Sequence, residues 1–330
     1  MKSRQESNQS TEKSRTAERY IKANPTLGNR TIGRLLLENH PDVYKNLEEA
    51  RSSVRWLRGV TGKEYQTRRL PTYTMVREED LQPDESWQEP YRIADSIKRL
   101  GVISDLHGVF LDKEAFDLAI HTLEKEKVQS ILINGDLMDQ HWLGRWIKNP
   151  NAKGFDEELG LVRNIVTELS KRFKNVYFKE GNHDAWLERK IRTDSPAFAK
   201  VKDFTLESLL RLKENKVHHI HNLQEIKFGD LSILHGHEKP GFFTPEFVAK
   251  SVIKWWQQYE RKFTVKVMVS HFHTVDNFIQ RNLDGSFAYG YVTGCLAKLK
   301  MDYHPYARRN HGIAIVDNDR GETEVRNFEI

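Results

Sequence analysis

The chain is nearly free of cysteine. Cys295 stands alone among 330 residues, which excludes a disulfide framework and any zinc or iron–sulfur site built from several thiolates. Long apolar runs are missing too. No stretch approaches the roughly 18 unbroken apolar residues that a spanning helix needs, so no transmembrane segment is expected. The first residues, Met1-Lys2-Ser3-Arg4-Gln5, continue polar, so no secretory signal is expected either. No internal repeat is visible. Histidine is plentiful, with fourteen, and so is charge, at 30% of residues with a net +5. The length fits two or so domains.

The charge is uneven. Thirteen Lys/Arg against six Asp/Glu lie between Lys13 and Arg69, whereas one basic residue faces six acidic ones from Arg77 to Pro90. This predicts a basic module, a linker and a balanced remainder. Residues 1–11 are small and polar and read as a disordered tail. Residues 12–69 read as three short helices. The first runs from Thr11, as N-cap, to Ala23, and Asn24-Pro25 halts it. The second follows Asn29, carries Ile32, Leu35 and Leu36, and ends before Pro41. The third starts at Asn46, with Glu49 placed for a capping box. Leu47, Ala50, Val54 and Leu57 form its apolar stripe, and Gly59 is its stop. Arg51, Arg55 and Arg58 share the neighbouring face.

Three short helices that end on a basic one resemble a helix-turn-helix or winged-helix DNA-binding domain. An arginine-bearing helix can enter a major groove and meet phosphates and guanine edges. The bland alternative is a helical bundle whose arginines flank the core and reach into water, or a protein-docking module. Residues 70–94, with Pro71, Pro83 and Pro90 and no clear period, read as the linker.

Residues 95–330 alternate short apolar runs with helical patterns. Strands are expected at Arg99–Ser104, Ser130–Asn134 and Asn175–Lys179, with helices at Asp112–Lys125 and Asp156–Phe173 between them. That is the βαβα rhythm of a sheet covered by helices. Further strands follow at Glu225–Phe228, Leu231–Leu234, Val265–Val269, Phe278–Arg281, Ala288–Thr293, Ile313–Val316 and Glu324–Phe328. They are spaced as hairpins or a second sheet, and a helix over Pro245–Arg261 interrupts them.

Polar clusters follow these strands. They are Asp105-Leu106-His107, Gly135-Asp136-Leu137-Met138-Asp139, Gly181-Asn182-His183-Asp184, His235-Gly236-His237 and His271-Phe272-His273. Residues just beyond the carboxyl ends of strands collect along one edge of a sheet, where ligands bind. Carboxylates, imidazoles and a carboxamide without thiolate suit Mn, Fe, Zn, Ni or Co. A pair of such ions sharing a carboxylate polarises a phosphoryl oxygen and makes hydroxide at neutral pH.

The ordered set D-x-H, G-D-x-x-D, G-N-H-D, a lone H and H-x-H resembles the calcineurin-like metallophosphoesterase superfamily, over nearly all of residues 97–330. With the front module, the chain also broadly resembles phage and bacterial phosphoesterases that carry a helix-turn-helix-like N-terminus. The fold implied is α/β: a two-sheet β-sandwich flanked by helices, in four layers α/β/β/α, beside a small all-α domain. The resemblance implies two divalent metals, with Mn the first choice. Asp105, His107 and His273 would hold one; Asn182, His235 and His271 would hold the other; Asp136 would bridge them. His183 would be the general acid or a charge that steadies the transition state, and Asp184 would orient its imidazole. The attacking group would be a hydroxide bridging the metals. The plain alternative for each residue is a satisfied polar group at a strand end. Asp139 reads equally as support for a ligand or as a turn residue, and His237 as a phosphate contact or a loop histidine. His218, His219 and His221 read as structural.

Two departures bear on the reading. Ser270 stands where the family has glycine before its last H-x-H. Gln140 and Glu180 stand where the Ser/Thr protein phosphatases of the superfamily carry arginines, so a guanidinium clamp for a phosphomonoester is missing. The segment His141 to Lys148 mixes tryptophan with basic residues and reads either as a base-stacking strip or as an amphipathic helix packing its tryptophans. Trp186 and Trp255-Trp256 read as core, while Tyr289, Tyr291, Tyr303 and His304 are candidates for a substrate groove. The function expected is a two-metal phosphodiesterase or nuclease acting on DNA in the cytoplasm of a bacterium or a phage-infected cell. The alternatives are hydrolysis of small phosphodiesters or phosphomonoesters with a docking module in front, and a non-catalytic DNA-binding regulator.

Overall fold

Ala17, Ile32, Leu36, Ala50 and Val54 are fully buried, with Tyr44 beside them, and together they make the core of a small helical unit. A computed structural model of the chain describes residues 4–59, 89–144, 153–238, 247–300 and 308–330. The chain divides into two compact units, Met1–Pro83 and Asp84–Ile330. The first contains helices α1 (Arg4–Ala23), α2 (Asn29–Asn39) and α3 (Leu47–Leu57). Helix α1 begins inside the segment expected to be a disordered tail, and Thr11 is not its cap.

Asn46 caps α3 by accepting from Glu49 N at 2.9 Å. Glu49 reaches back to Lys45 N at 2.8 Å, one residue before the position a capping box requires, and pairs with Lys13 of α1 at 2.6 Å. Arg58 is not part of a free basic face. Its guanidinium donates to Leu27 O and Asn29 Oδ1, both at 2.8 Å, and so ties the end of α3 to the loop before α2. The expected linker lies outside the described residues as far as residue 88. Its end is corrected: Tyr91–Arg92 is a strand.

The second unit carries helices α4 (Lys113–Lys125), α5 (Phe155–Arg172), α6 (Trp186–Asp194), α7 (Leu206–Leu209) and α8 (Val248–Glu260). Its strands are β1 (Tyr91–Arg92), β2 (Arg99–Ile103), β3 (Ser130–Asn134), β4 (Asn175–Lys179), β5 (His218–Ile220), β6 (Ile226–Phe228), β7 (Leu231–Ile233), β8 (Lys266–Val269), β9 (Asp276–Arg281), β10 (Phe287–Val292), β11 (Gly312–Asp319) and β12 (Glu322–Glu329). One sheet has the order β12-β11-β2-β3-β4-β5 and the other β1-β6-β7-β8-β10-β9. Strands β2 to β5 are parallel, which is why α4 and α5 must cross over between them.

Alternation along the strands sorts the side chains into layers. Leu100, Val102, Leu132 and Tyr177 meet Ile226, Phe228, Ile233 and Met268 in the core between the sheets. Ile131, Ile133 and Phe178 face the other way and pack with Ala119 and Leu123 of α4 and Val162 and Val166 of α5. Val267, Ala288 and Val292 pack with Val252, Ile253 and Trp256 of α8. These are the four layers α/β/β/α. Among the described residues no helix is long and apolar enough to cross a membrane.

Candidate metal centre

All five polar clusters emerge where parallel strands end: after β2, β3 and β4 in one sheet and after β7 and β8 in the other. The loops that carry them are zipped together. Asp105 N donates to Gly135 O at 3.0 Å, His107 N to Asp136 O at 2.9 Å, and His271 N to Asp105 Oδ2 at 3.1 Å. This web holds an unusual backbone. Asp105, His107, Asp136, His271 and His273 all adopt left-handed conformations, with φ between 50° and 69°. Each such residue costs on the order of 1–3 kcal/mol and persists only where its surroundings dictate it.

Two glycines are there because the walls touch them. A Cβ on Gly181 would lie 2.1 Å from Asp136 Oδ1, and one on Gly135 would lie 2.2 Å from His235 Nδ1.

The ligand atoms of Asp105, His107 and His273 lie within 4.8 Å of one another, and so do those of Asp136, His235 and His271. In the first group His107 Nε2 is 3.0 Å from His273 Nε2, and His273 Nε2 is 3.3 Å from Asp105 Oδ1. Asp136 Oδ2 is faced from both sides, by His235 Nε2 at 3.2 Å and by His107 Nε2 at 3.9 Å. Asn182 sits between two residues that touch Asp136: Gly181, and His183, whose N donates to Asp136 Oδ1 at 2.9 Å. Its Oδ1 is buried and has no hydrogen-bond partner among the described residues.

This donor set fits divalent cations. His235 Nδ1 lies 2.7 Å from Asn134 O. A carbonyl only accepts, so Nδ1 carries the proton and Nε2 turns a lone pair toward a carboxylate. His107 Nδ1 likewise lies 2.6 Å from Asp139 Oδ1, which leaves its Nε2 lone pair pointed at His273. Such contacts are repulsive unless positive charge lies between them. The charges around the rings make the same demand. Burial opposes charge on His273 and His235, yet the neighbouring Asp105 and Asp136 carboxylates push them up to about 10 and about 9. Burial would raise the Asp136 carboxyl, but the His235 and His183 imidazoles hold it well below its ordinary value. Burial lowers His271 to about 4.

The expected contact between Asp184 and the His183 ring is not made. His183 Nδ1 donates to the main-chain carbonyl of Asp139 at 2.7 Å. The Asp184 carboxylate does not orient that ring. It accepts from Gly181 N at 2.8 Å and Met138 N at 2.9 Å, and so clamps the two motif loops to each other. Burial, then the charge of Asp136, pushes its carboxyl up to about 7. Trp186 is not core either: its ring stacks on His183 with centroids 4.0 Å apart. Asp139 holds His107, as described above.

Other candidates find places around the centre. His237 has both ring nitrogens buried without a hydrogen-bond partner among the described residues; its Nδ1 lies 3.6 Å from Glu238 Oε2 and its ring 5.4 Å from that of His235. Ser270 is fully buried and accepts from Asn134 Nδ2 at 2.8 Å, which ties the two sheets together under the site. Gln140 is buried, its amide donating to Asp184 O at 3.1 Å. Glu180 pairs with His219 at 2.8 Å. His218 stacks on Tyr177, outside both groups of ligands. Trp142 packs edge-on against Phe155, and Trp256 is buried against β8 and β10. Arg145 to Lys148, Tyr303 and His304 lie outside the described residues. Sequence reasoning missed Glu158 of α5, which is fully buried and whose carboxylate accepts from Asp139 N at 2.6 Å. No local pattern marks it, since it sits on the inner stripe of an amphipathic helix.

The calcineurin-like phosphoesterase family matches residues 98–305. Among curated proteins no sequence matches. Similar solved structures include zinc-complexed Vps29 from Entamoeba histolytica, at 11% identity over 70% of this chain and 98% of that one, with a TM-score of 0.35. The E. coli phosphoesterase YfcE is 16% identical over 67% of this chain and 89% of its own, with a TM-score of 0.34. A dimetal phosphatase from Danio rerio is 11% identical over 70% and 96%, with a TM-score of 0.33. The family match, not these distant structures, carries the assignment.

Proposed function

Since the chain belongs to the calcineurin-like phosphoesterase family, we propose that it is a two-metal phosphodiesterase and that its substrate is DNA. The observation that carries the hydrolase reading is Asp136, one carboxylate faced by imidazoles from two separate ligand groups. Asp105, His107 and His273 would hold one divalent cation, Asn182, His235 and His271 the other, and Asp136 both. Manganese is the first choice for this N/O donor set. A bound pair supplies Lewis acidity, drawing charge from a phosphoryl oxygen and making water acidic enough to attack at neutral pH.

The chain's own groups do the rest. His183 gives a proton to the leaving oxygen. Its Nδ1–H is committed to Asp139 O, so the transferable proton sits on Nε2. Trp186 stacks on that ring and limits its tilt. Asp139 fixes the ring of His107 and, through its carbonyl, that of His183.

Two features favour a diester on DNA. Gln140 and Glu180 are engaged in buried contacts, so neither place offers a guanidinium to a monoester dianion. The N-terminal unit brings a basic surface that raises the local concentration of a polyanion. Arg58 is engaged in the fold; Arg51, held among the described residues only by an exposed pair with Glu48 at 3.3 Å, and Arg55 of α3 are the arginines of that face that would turn to phosphate.

The test is turnover by the manganese-loaded full chain on bis-p-nitrophenyl phosphate, p-nitrophenyl phosphate and linear, nicked and single-stranded DNA. Diester and DNA cleavage are expected, with Arg51→Glu/Arg55→Glu weakening DNA cleavage alone and flattening its salt dependence. Cleavage of small diesters with DNA left intact would replace DNA with a small phosphodiester. DNA binding without metal-dependent turnover would make the protein a regulator.

A further inference from the structure

Lys179 ends β4, and its side chain is fully buried. Its Nζ donates to the carbonyls of Asn222 at 2.7 Å and Gln224 at 2.8 Å and lies 3.0 Å from Glu238 Oε1. The Glu238 side chain is only 8% exposed. It turns the same carboxylate on the loop after β7: Oε1 accepts from His235 N at 3.1 Å, and Oε2 from Gly236 N at 2.6 Å. Gly236 has a φ of +124°, so the chain turns there in a way few other residues allow. A line of polar contacts thus runs from the end of one sheet to the backbone of His235 in the other.

Removing an ammonium and a carboxylate from water is costly, and apolar side chains of similar volume fill such a space as well or better. Apolar side chains cannot accept two successive N–H groups, and those two groups set the conformation of His235. The far end of the residue is set independently, by Nδ1 on Asn134 O and by the space left at Gly135. The first ligand group has different supports. His107 rests on Asp139, and Asp105 on Gly135 O and on the main-chain N of His271, none of them touched by Lys179 or Glu238.

We propose that Lys179 and Glu238 form a positioning clamp for His235, which sets the strength of the metal subsite of Asp136, His235 and His271 and not that of Asp105, His107 and His273. This rests on the reading of His235 as a metal ligand.

The full chain, stripped of metal, is titrated with manganese by calorimetry beside thermal melts. The parent is expected to show two binding steps. In Lys179→Met/Glu238→Gln one step should weaken by about 10- to 100-fold, with the other unchanged and a cooperative melt, at a lower temperature than the parent's, showing that the chain still folds. Glu238→Gln alone keeps one accepting oxygen and should weaken the same step, so either folded variant decides the matter. Two steps of parental affinity in a folded variant would overturn the clamp, and so would equal weakening of both. A parent that binds no manganese, zinc or cobalt would sink the metal centre itself and the clamp with it.

Discussion

His235 Nε2 lies 3.2 Å from Asp136 Oδ2, with both side chains sealed from solvent. Because Asn134 O takes the Nδ1 proton, the pair is stable only with a proton or a cation between its partners. The same Asp136 oxygen faces His107 of the other ligand group at 3.9 Å. Asp136→Asn keeps the shape and removes the shared charge. It should leave the chain folded, take manganese content from about two per chain to nearly none, and bring turnover to background. Retention of one tightly held metal would show that Asp136 serves a single subsite.

His183 and Asp184 are neighbours in the chain with separate work. His183→Ala removes the proton donor and no assigned ligand, so turnover should fall by roughly a hundred- to ten-thousand-fold with metal content intact. Asp184→Asn leaves His183 held by Asp139 O but weakens the acceptor for Gly181 N and Met138 N. Its signature should be a shifted melting temperature with turnover kept: about 1–3 kcal/mol is lost for a backbone donor left unpaired, offset above pH 7 by the ionisation cost that Asn no longer bears. If His183→Ala lost its metal, or Asp184→Asn kept its melting temperature and lost only turnover, the assignments would be reversed.

Metal loading should release protons. In the metal-free protein the carboxylates push His273 to about 10 and His235 to about 9, so both rings are protonated at pH 7 and must deprotonate to bind. Apparent affinity should therefore rise with pH, by about tenfold per unit for each proton displaced, and level off as pH passes 9 to 10. Calorimetry in buffers of different ionisation enthalpy counts the protons. Loading at pH 7 without proton release would contradict the charge balance described for the centre.

The layout of the centre was legible in the sequence because it follows from topology. Residues after parallel strands gather at one edge, so five clusters after five apolar runs had to converge if the runs were strands. Contacts between distant residues were not legible. Nothing local links Lys179 to Glu238, or Glu158 to Asp139, since each partner comes from another layer. Adjacency also misled. Asp184 stands beside His183 yet turns its carboxylate to the two loops, and Trp186, read as core, covers the His183 ring. The arginines of α3 share a face by periodicity, but Arg58 is drawn to the α1–α2 loop by carbonyls that a helical wheel does not show. β1 was hidden in a proline-containing stretch because two residues carry no period.

Glu158 offers a test of how the fold supports this edge. Its carboxylate accepts from Asp139 N and, at 3.2 Å, from Gln140 N, and a Cβ on Gly108 would lie 2.2 Å from Oε1. Burial pushes the carboxyl up to about 7 from an ordinary 4.5. The unfolded chain therefore gives up this proton near pH 4.5, while the folded chain holds it until about 7. Stability is lost across that window as pH rises and stays lower above it, by on the order of 3 kcal/mol. Glu158→Gln cannot ionise, and its amide oxygen still accepts from Asp139 N. The variant should match or trail the parent below pH 4.5 and exceed it at pH 8 by about 2 kcal/mol, once roughly 1 kcal/mol is allowed for the weaker acceptor. Asp184, also raised to about 7, titrates in the same window with the same sign, so the variant's slope should shrink and not vanish. The measurement is the difference between the two melting temperatures from pH 4 to 8, and a difference that stays constant over that range would mean that Glu158 does not carry the proton assigned to it.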